Sequence, residues 1–295
     1  RNIDKINLEK YAYKVFLNGE ISIEEIKKII KQQNYTEELE KEIEKLKNDD
    51  DIKAVVFRIN SGGGSAYASE QIWKAIEDLK AEKPVVASMG DMAASGGYYI
   101  ACNANSIVAQ PTTITGSIGI FGMIPNLEGT TDKIGVHTET VKTNEFADFG
   151  NLTRPFNEKE KELMQNYVEA GYDLFLTRCA EGRNMDKETL AQYAEGRVWT
   201  GNQAKEIGLV DELGGLERAI EIAADMANLG KSYVIFEYPK LTSPIEELLN
   251  PAKEELAAKT IKNYLGESFE LFMLLKNIKD QDYIQARIPF ELNIR

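Results

Sequence analysis

Two glycine-rich turns, each closing a buried apolar run, constrain this chain more than any other feature. The first run, Ile52 to Ile59 (IKAVVFRI), ends in Asn60-Ser61-Gly62-Gly63-Gly64-Ser65. The second, Pro84-Val85-Val86-Ala87-Ser88-Met89, ends in Gly90, and Met92 to Ile100 (MAASGGYYI) then reads as a tight turn feeding a helix. Short apolar runs of this kind, with a helical stretch over roughly 66–82 between them, are the pattern of βαβ units. Parallel strands deliver their C-terminal loops to one edge of a sheet, so the two turns are expected to meet in space.

The remaining chain extends the α/β alternation. Tyr13-Lys14-Val15-Phe16-Leu17 reads as a strand, and residues 22–48 read as a helix with Ile26, Ile29 and Ile30 at helical spacing. Ser106-Ile107-Val108-Ala109 is a further short strand, followed by the glycine-rich connection Thr115-Gly116-Ser117-Ile118-Gly119. A long amphipathic helix is expected over 157–180, with Asn157 as N-cap and Glu160 at the capping-box position. Thr200 caps another helix, which Gly208 stops. Val234-Ile235-Phe236 reads as a last strand, and after Pro244 the chain turns helical and charged. The expected organisation is therefore an α/β domain over 1–240 and a helical C-terminal extension over 241–295.

Composition excludes several classes of function. With 35 basic against 48 acidic residues the net charge is −13, and no basic stripe is present. Nucleic acid and anionic membrane surfaces, which demand clustered Lys and Arg, are disfavoured as partners. Cys102 and Cys179 show no metal-ligand spacing, and His137 is the lone histidine, so no metal centre or cofactor is expected. No run of about 18 apolar residues spans a bilayer. The chain begins at Arg1 without a signal segment. It is expected to be part of a longer protein whose anchor or partner domain lies upstream.

A serine on a sharp turn at a helix start is exposed, and nearby backbone N–H groups can hold an oxyanion. Ser95 is on these grounds the candidate nucleophile, with the N–H groups of Gly63 and Gly96 as oxyanion donors. The plainer reading, in which Ser95 merely caps the helix, stands beside it. Phosphate binding fits less well, because the glycines lack the GxxxxGKS/T frame. For a base, His137 with Asp148 would complete a triad, but no local feature marks His137 as positioned. A lysine serves only if burial lowers its pKa by roughly three units, about 4 kcal/mol. Lys142, Lys133 and Lys205 all read as solvated.

These motifs resemble one family. Arg58-Ile59-Asn60-Ser61-Gly62-Gly63-Gly64, the stretch Ser88 to Tyr99, Thr115 to Gly119, Gly196 to Gly201 and Leu209 to Gly214 are together similar to signal peptide peptidase A. The resemblance implies a layered α/β fold of the Clp protease and crotonase type. It implies a Ser/Lys dyad that degrades cleaved signal peptides and other apolar peptides at the extracytoplasmic, periplasmic face of the bacterial inner membrane. A homo-oligomer is implied as well, with a tetramer the expected count. Ser95 matches the nucleophile, Gly63 and Gly96 the oxyanion positions, and Ser117 a hydroxyl that orients the lysine amine. Two positions depart from the pattern. Gly62 stands where the family has Pro in NSPGG, which loosens the turn. Ala147, in Glu145-Phe146-Ala147-Asp148, stands where short family members carry the general-base lysine. The favoured explanation is a long form in which an N-terminal half of the same protein supplies the lysine and this half supplies the serine. The alternatives are a short form whose lysine has been replaced, and a non-catalytic scaffold half.

Overall fold

The computed structural model describes residues 2–7, 32–238 and 284–287. Strand β1 (Asn2–Asn7) and helix α1 (Gln32–Asn48) lead to β2 (Ile52–Ser61) and the short β3 (Gly63–Ser65). Helix α2 (Ala66–Lys80) crosses to β4 (Val85–Ala94), and α3 (Gly96–Tyr99) follows one residue later. Then come β5 (Ser106–Ala109), β6 (Ile114–Gly116), β7 (Phe121–Gly122) and α4 (Glu128–Lys133). The long α5 (Glu158–Arg183) and α6 (Lys187–Ala191) precede β8 (Val198–Thr200) and α7 (Gly201–Glu206). The described chain closes with β9 (Glu212–Leu213), α8 (Leu216–Met226), β10 (Val234–Tyr238) and β11 (Ile284–Arg287).

The main sheet runs β10-β1-β2-β4-β5-β9, every neighbouring pair parallel. Near the end of β4, β6 pairs alongside it in parallel, and β8 adds to β6 antiparallel. The uninterrupted apolar character of β2 and β4 follows from burial on both faces. From β2, Val55, Phe57 and Ile59 pack with Ile43 and Leu46 of α1, Ile76 and Leu79 of α2, and Phe175 of α5. Its alternate residues Ala54 and Val56 face the other way, with Val86 and Val108, against Ala219, Ile220, Ala223 and Ala224 of α8. Truncating Phe57, which is 1% exposed, to Ala removes about 3–5 kcal/mol.

Local signals are realised where side chains cap the helices. Ser65 Oγ accepts the Ala68 N–H at 3.1 Å and opens α2. Asn157 and Glu160 form the reciprocal box at the start of α5, both bonds at 2.9 Å. Thr200 and Gln203 do the same for α7.

Three expectations are corrected. β4 does not end at Gly90 but runs on to Ala94. Gly90 sits inside the strand because a Cβ there would lie 2.8 Å from the Asn60 side chain, whose Oδ1 accepts the Met92 N–H at 3.0 Å. Val234–Phe236 belongs to an edge strand, but it is not the last one. Of the span 241–295 expected to be helical, the described residues are Ile284–Arg287, and these form a strand between β3 and β7. The strand expected over 13–17 and the part of the first helix carrying Ile26, Ile29 and Ile30 lie outside the described residues.

Candidate active site

The two glycine-rich turns do meet. β2 and β4 are hydrogen-bonded neighbours whose ends pair Ser61 with Ala93. A Cβ on Gly97 would lie 2.7 Å from the Ser61 carbonyl oxygen, so the approach of one turn to the other depends on glycine there. Between β4 and α3 the chain reverses on Ser95, whose backbone stands at φ 54, ψ −118. A positive φ at a non-glycine residue is strained and persists only where surroundings enforce it.

The enforcing contacts can be named. Ser95 N–H donates to the Gly116 carbonyl at 2.8 Å, and the Ser95 carbonyl accepts the Tyr99 N–H at 2.8 Å. A helix of four residues has no stability of its own, so α3 is held by its tyrosines. Tyr98 Oη donates to the Leu209 carbonyl at 2.9 Å, and Tyr99 Oη donates to Glu70 Oε2 at 2.6 Å. Burial pushes both phenols well above their ordinary range, with the Glu70 carboxylate adding to the rise at Tyr99. Both remain protonated donors at neutral pH. Arg178 closes the assembly, donating from Nη2 to Glu70 Oε1 at 2.7 Å and lying 3.9 Å from the Trp73 ring centroid. Glu70 and Arg178 escape a reading of the sequence, since 108 positions separate them and neither sits in a motif.

Ser95 is fully buried, and its side chain makes no helix-capping bond. The plainer reading of this serine as a cap is therefore not what the geometry shows. Its Oγ lies 3.4 Å from the Gly119 carbonyl, a long contact. Gly96 opens α3, where an N–H has no intrahelical acceptor. Gly63 has φ 100 and needs glycine, whereas Gly62 is not among the positive-φ residues. The Gly63 N–H is already engaged, donating to Ser61 Oγ at 3.1 Å. Ser117 is buried at φ 49, its N–H donating to the Arg197 carbonyl at 2.7 Å. It directly follows Gly116, the acceptor for Ser95.

Among the described residues no side-chain base is hydrogen-bonded to Ser95. His137 is 78% exposed, and its Nδ1 lies 3.2 Å from Asp132. Asp148, the triad partner considered for it, is instead held by Arg154 at 2.8 Å and Lys142 at 2.9 Å. Those two cations draw its carboxyl well below the usual range. Lys142 also donates to the Glu145 carbonyl at 3.1 Å, and Lys133 and Lys205 are exposed. Ala147 lies on an exposed turn beside Asp148 and brings no amine. The turn is tied down by Arg154, whose guanidinium also bonds both oxygens of the fully buried Glu160 at 2.6 and 2.7 Å. Cys102 and Cys179 are free thiols buried in the core. No group of three or more His, Cys, Asp or Glu side chains among the described residues is placed to hold a metal, and no described helix is long and apolar enough to cross a membrane.

Residues 10–119, which include both glycine-rich turns and the elbow serine, match the Clp protease family model. With the parallel sheet described above, this places the fold in the Clp protease class. Residues 77–230, more than half of the chain, match the model of peptidase family S49, and the chain belongs to that family. It is 47% identical over 182 residues to Protease 4 of Salmonella typhi, covering 61% of this chain and 29% of that protein. Protease 4 of Haemophilus influenzae is 45% identical over 190 residues, covering 63% of this chain and 30% of that protein. The chloroplastic serine protease SPPA of Arabidopsis thaliana is 38% identical over 236 residues, 78% of this chain and 35% of that protein. The chain thus spans under a third of the length of the two Protease 4 relatives.

Proposed function

We propose that this chain supplies the nucleophile and the oxyanion-binding backbone of a serine endopeptidase that cleaves extended apolar peptides, cleaved signal peptides among them. The observation that carries this reading is the strained backbone at Ser95, set on the turn between a buried parallel strand and α3 and packed against a second glycine-rich turn. Strain of that kind is retained where function needs it. Ser95 Oγ attacks the scissile carbonyl carbon and forms the C–O bond while a neutral lysine takes the hydroxyl proton. The N–H groups of Gly96 and Gly63 receive the oxyanion, and Ser117 orients the amine. The lysine then protonates the departing amine, and water hydrolyses the ester.

No amine among the described residues serves Ser95, which favours a lysine from an N-terminal half of the same protein. Such a split site requires assembly, and a homo-oligomer on the extracytoplasmic side of a bacterial membrane fits that need. The test is hydrolysis of a fluorogenic apolar peptide by this chain alone and by this chain with the N-terminal half, alongside fluorophosphonate labelling. Turnover and labelling of Ser95 are expected only with both halves. Substantial turnover by the chain alone refutes the split dyad. Labelling in neither preparation refutes the nucleophile assignment and leaves the scaffold reading.

A further inference from the structure

Cys102 and Cys179 are the two cysteines of the chain, far apart in sequence and both fully buried. Cys102 lies on the turn that continues α3. Its N–H donates to the Tyr98 carbonyl at 2.9 Å and its thiol to the Tyr99 carbonyl at 3.0 Å. Cys179 lies on the buried face of α5, one turn after Phe175. Two contacts fix how these segments lie together. Phe175 stacks on Tyr99 with ring centroids 4.4 Å apart. At Gly182 a Cβ would stand 2.8 Å from the Cys102 carbonyl carbon, so glycine there lets the backbone of α5 close onto that of Cys102. Residues 175, 179 and 182 share one face of the helix by their spacing, which places Cys179 between the two contacts and against Cys102. The two side chains are hydrogen-bonded. Because the Cys102 thiol proton is given to Tyr99, the Cys179 S–H is the donor.

A disulfide asks for two side chains that face each other across closely packed backbones, which is the arrangement here. We propose that Cys102 and Cys179 are a modification site, joined in an intrachain disulfide that staples the turn after α3 to α5. The oxidant is an external disulfide of the glutathione class. One cysteine thiolate attacks a sulfur of that disulfide, forming a mixed disulfide and expelling one thiol. The second cysteine thiolate attacks the sulfur of the first and expels the other thiol. The cysteines together lose two electrons and two protons, and the external disulfide gains them as two thiols. Burial decides when this happens. It pushes the Cys179 thiol up, and the attacking species is the thiolate, so the folded chain exchanges slowly in either direction. The bond is made while the chain folds in a compartment that supplies disulfides, and the closed core then shields it from reductants. Neither sulfur takes part in the chemistry assigned to Ser95, so the staple stands or falls apart from that reading.

The test refolds reduced, urea-unfolded chain in mixtures of reduced and oxidised glutathione. Remaining thiols are alkylated with iodoacetamide in denaturant, and the peptides are mapped by mass spectrometry without reduction. Chain secreted into a disulfide-forming compartment supplies the sample should refolding fail. A peptide linking Cys102 to Cys179 is expected in the oxidising mixtures. A bond closing a loop of roughly 80 residues is expected to raise the melting temperature by about 10 °C over the reduced chain. That difference is expected to vanish in Cys102→Ala and in Cys179→Ala. Folded oxidised chain is expected to keep the bond in dithiothreitol long after urea-unfolded oxidised chain has lost it. Glutathione adducts or free thiols without the linked peptide, at every glutathione ratio, overturn the proposal. So does a linked chain that melts no higher than the reduced one, or one reduced as fast when folded as when unfolded.

Discussion

Replacing Ser95 by glycine separates the chemical role of this residue from the strain in its backbone. A non-glycine residue at φ 54, ψ −118 stores about 1–3 kcal/mol. Glycine removes the Cβ that causes it and costs about 0.5–1 kcal/mol in added freedom of the unfolded chain. Ser95→Ala keeps the Cβ and its strain, and both variants lose the hydroxyl. Because the Oγ contact to Gly119 is a long 3.4 Å, that shared loss is small. The difference between the two variants then isolates the strain, and glycine is expected to be the more stable by about 1 kcal/mol. The assay is urea unfolding of both variants and the parent, with melting temperatures alongside, where about 1 kcal/mol corresponds to roughly 2–4 °C. With the N-terminal half present, neither variant is expected to take up a fluorophosphonate, unlike the parent. If Ser95→Gly proves less stable than Ser95→Ala by 1 kcal/mol or more, the elbow stores no strain and the argument from backbone geometry to function fails.

Gly97→Ala places a Cβ 2.7 Å from the Ser61 carbonyl oxygen, a backbone atom that cannot swing aside. It is expected to cost about 1–3 kcal/mol and to slow Ser95 labelling when the N-terminal half is present, as urea midpoints and probe kinetics would record. Arg154→Met leaves the buried Glu160 carboxylate without its guanidinium, so the melting temperature is expected to fall clearly, with partial recovery in the Arg154→Met, Glu160→Gln double variant. Arg154 also holds the carboxyls of Glu160 and Asp148 below their ordinary range. The unfolded chain therefore binds protons more readily than the folded one. Their stabilisation is complete above the unfolded carboxyl values near 4 and declines as pH falls below them. Urea midpoints between about pH 7 and pH 3 should show a fall that is shallower in Arg154→Met, and equal slopes would refute the assignment. His137→Ala, which alters only an exposed pair with Asp132, is expected to leave hydrolysis by the assembled halves unchanged. A large loss would reinstate the triad.

What was readable in advance, and what was not, divides by the range of the interactions involved. β2 and the start of β4 were legible because burial on both faces leaves an unmixed apolar run. The start of α5 was legible because Asn157 and Glu160 bond each other across a single turn. Gly90 was misread as a stop. A glycine that ends a strand and one that admits a neighbouring Asn60 look alike until the partner strand is known. The type of residue at 95 pointed to chemistry, yet nothing local predicts a positive φ for serine. That conformation is imposed by the bond to Gly116 and by Tyr98 and Tyr99 gripping Leu209 and Glu70. The strand state of Ile-Gln-Ala-Arg was illegible for the same reason. Its four residues lie in a charged tail, and their extended form comes from the open edges of β3 and β7. The elements thus follow from short-range signals, whereas the contacts that fix Ser95 and α3 in place join residues 21 to 111 positions apart. A nucleophile can accordingly be nominated from a motif, but whether its oxyanion donors are free is decided by geometry such as the Ser61 hydroxyl on the Gly63 N–H.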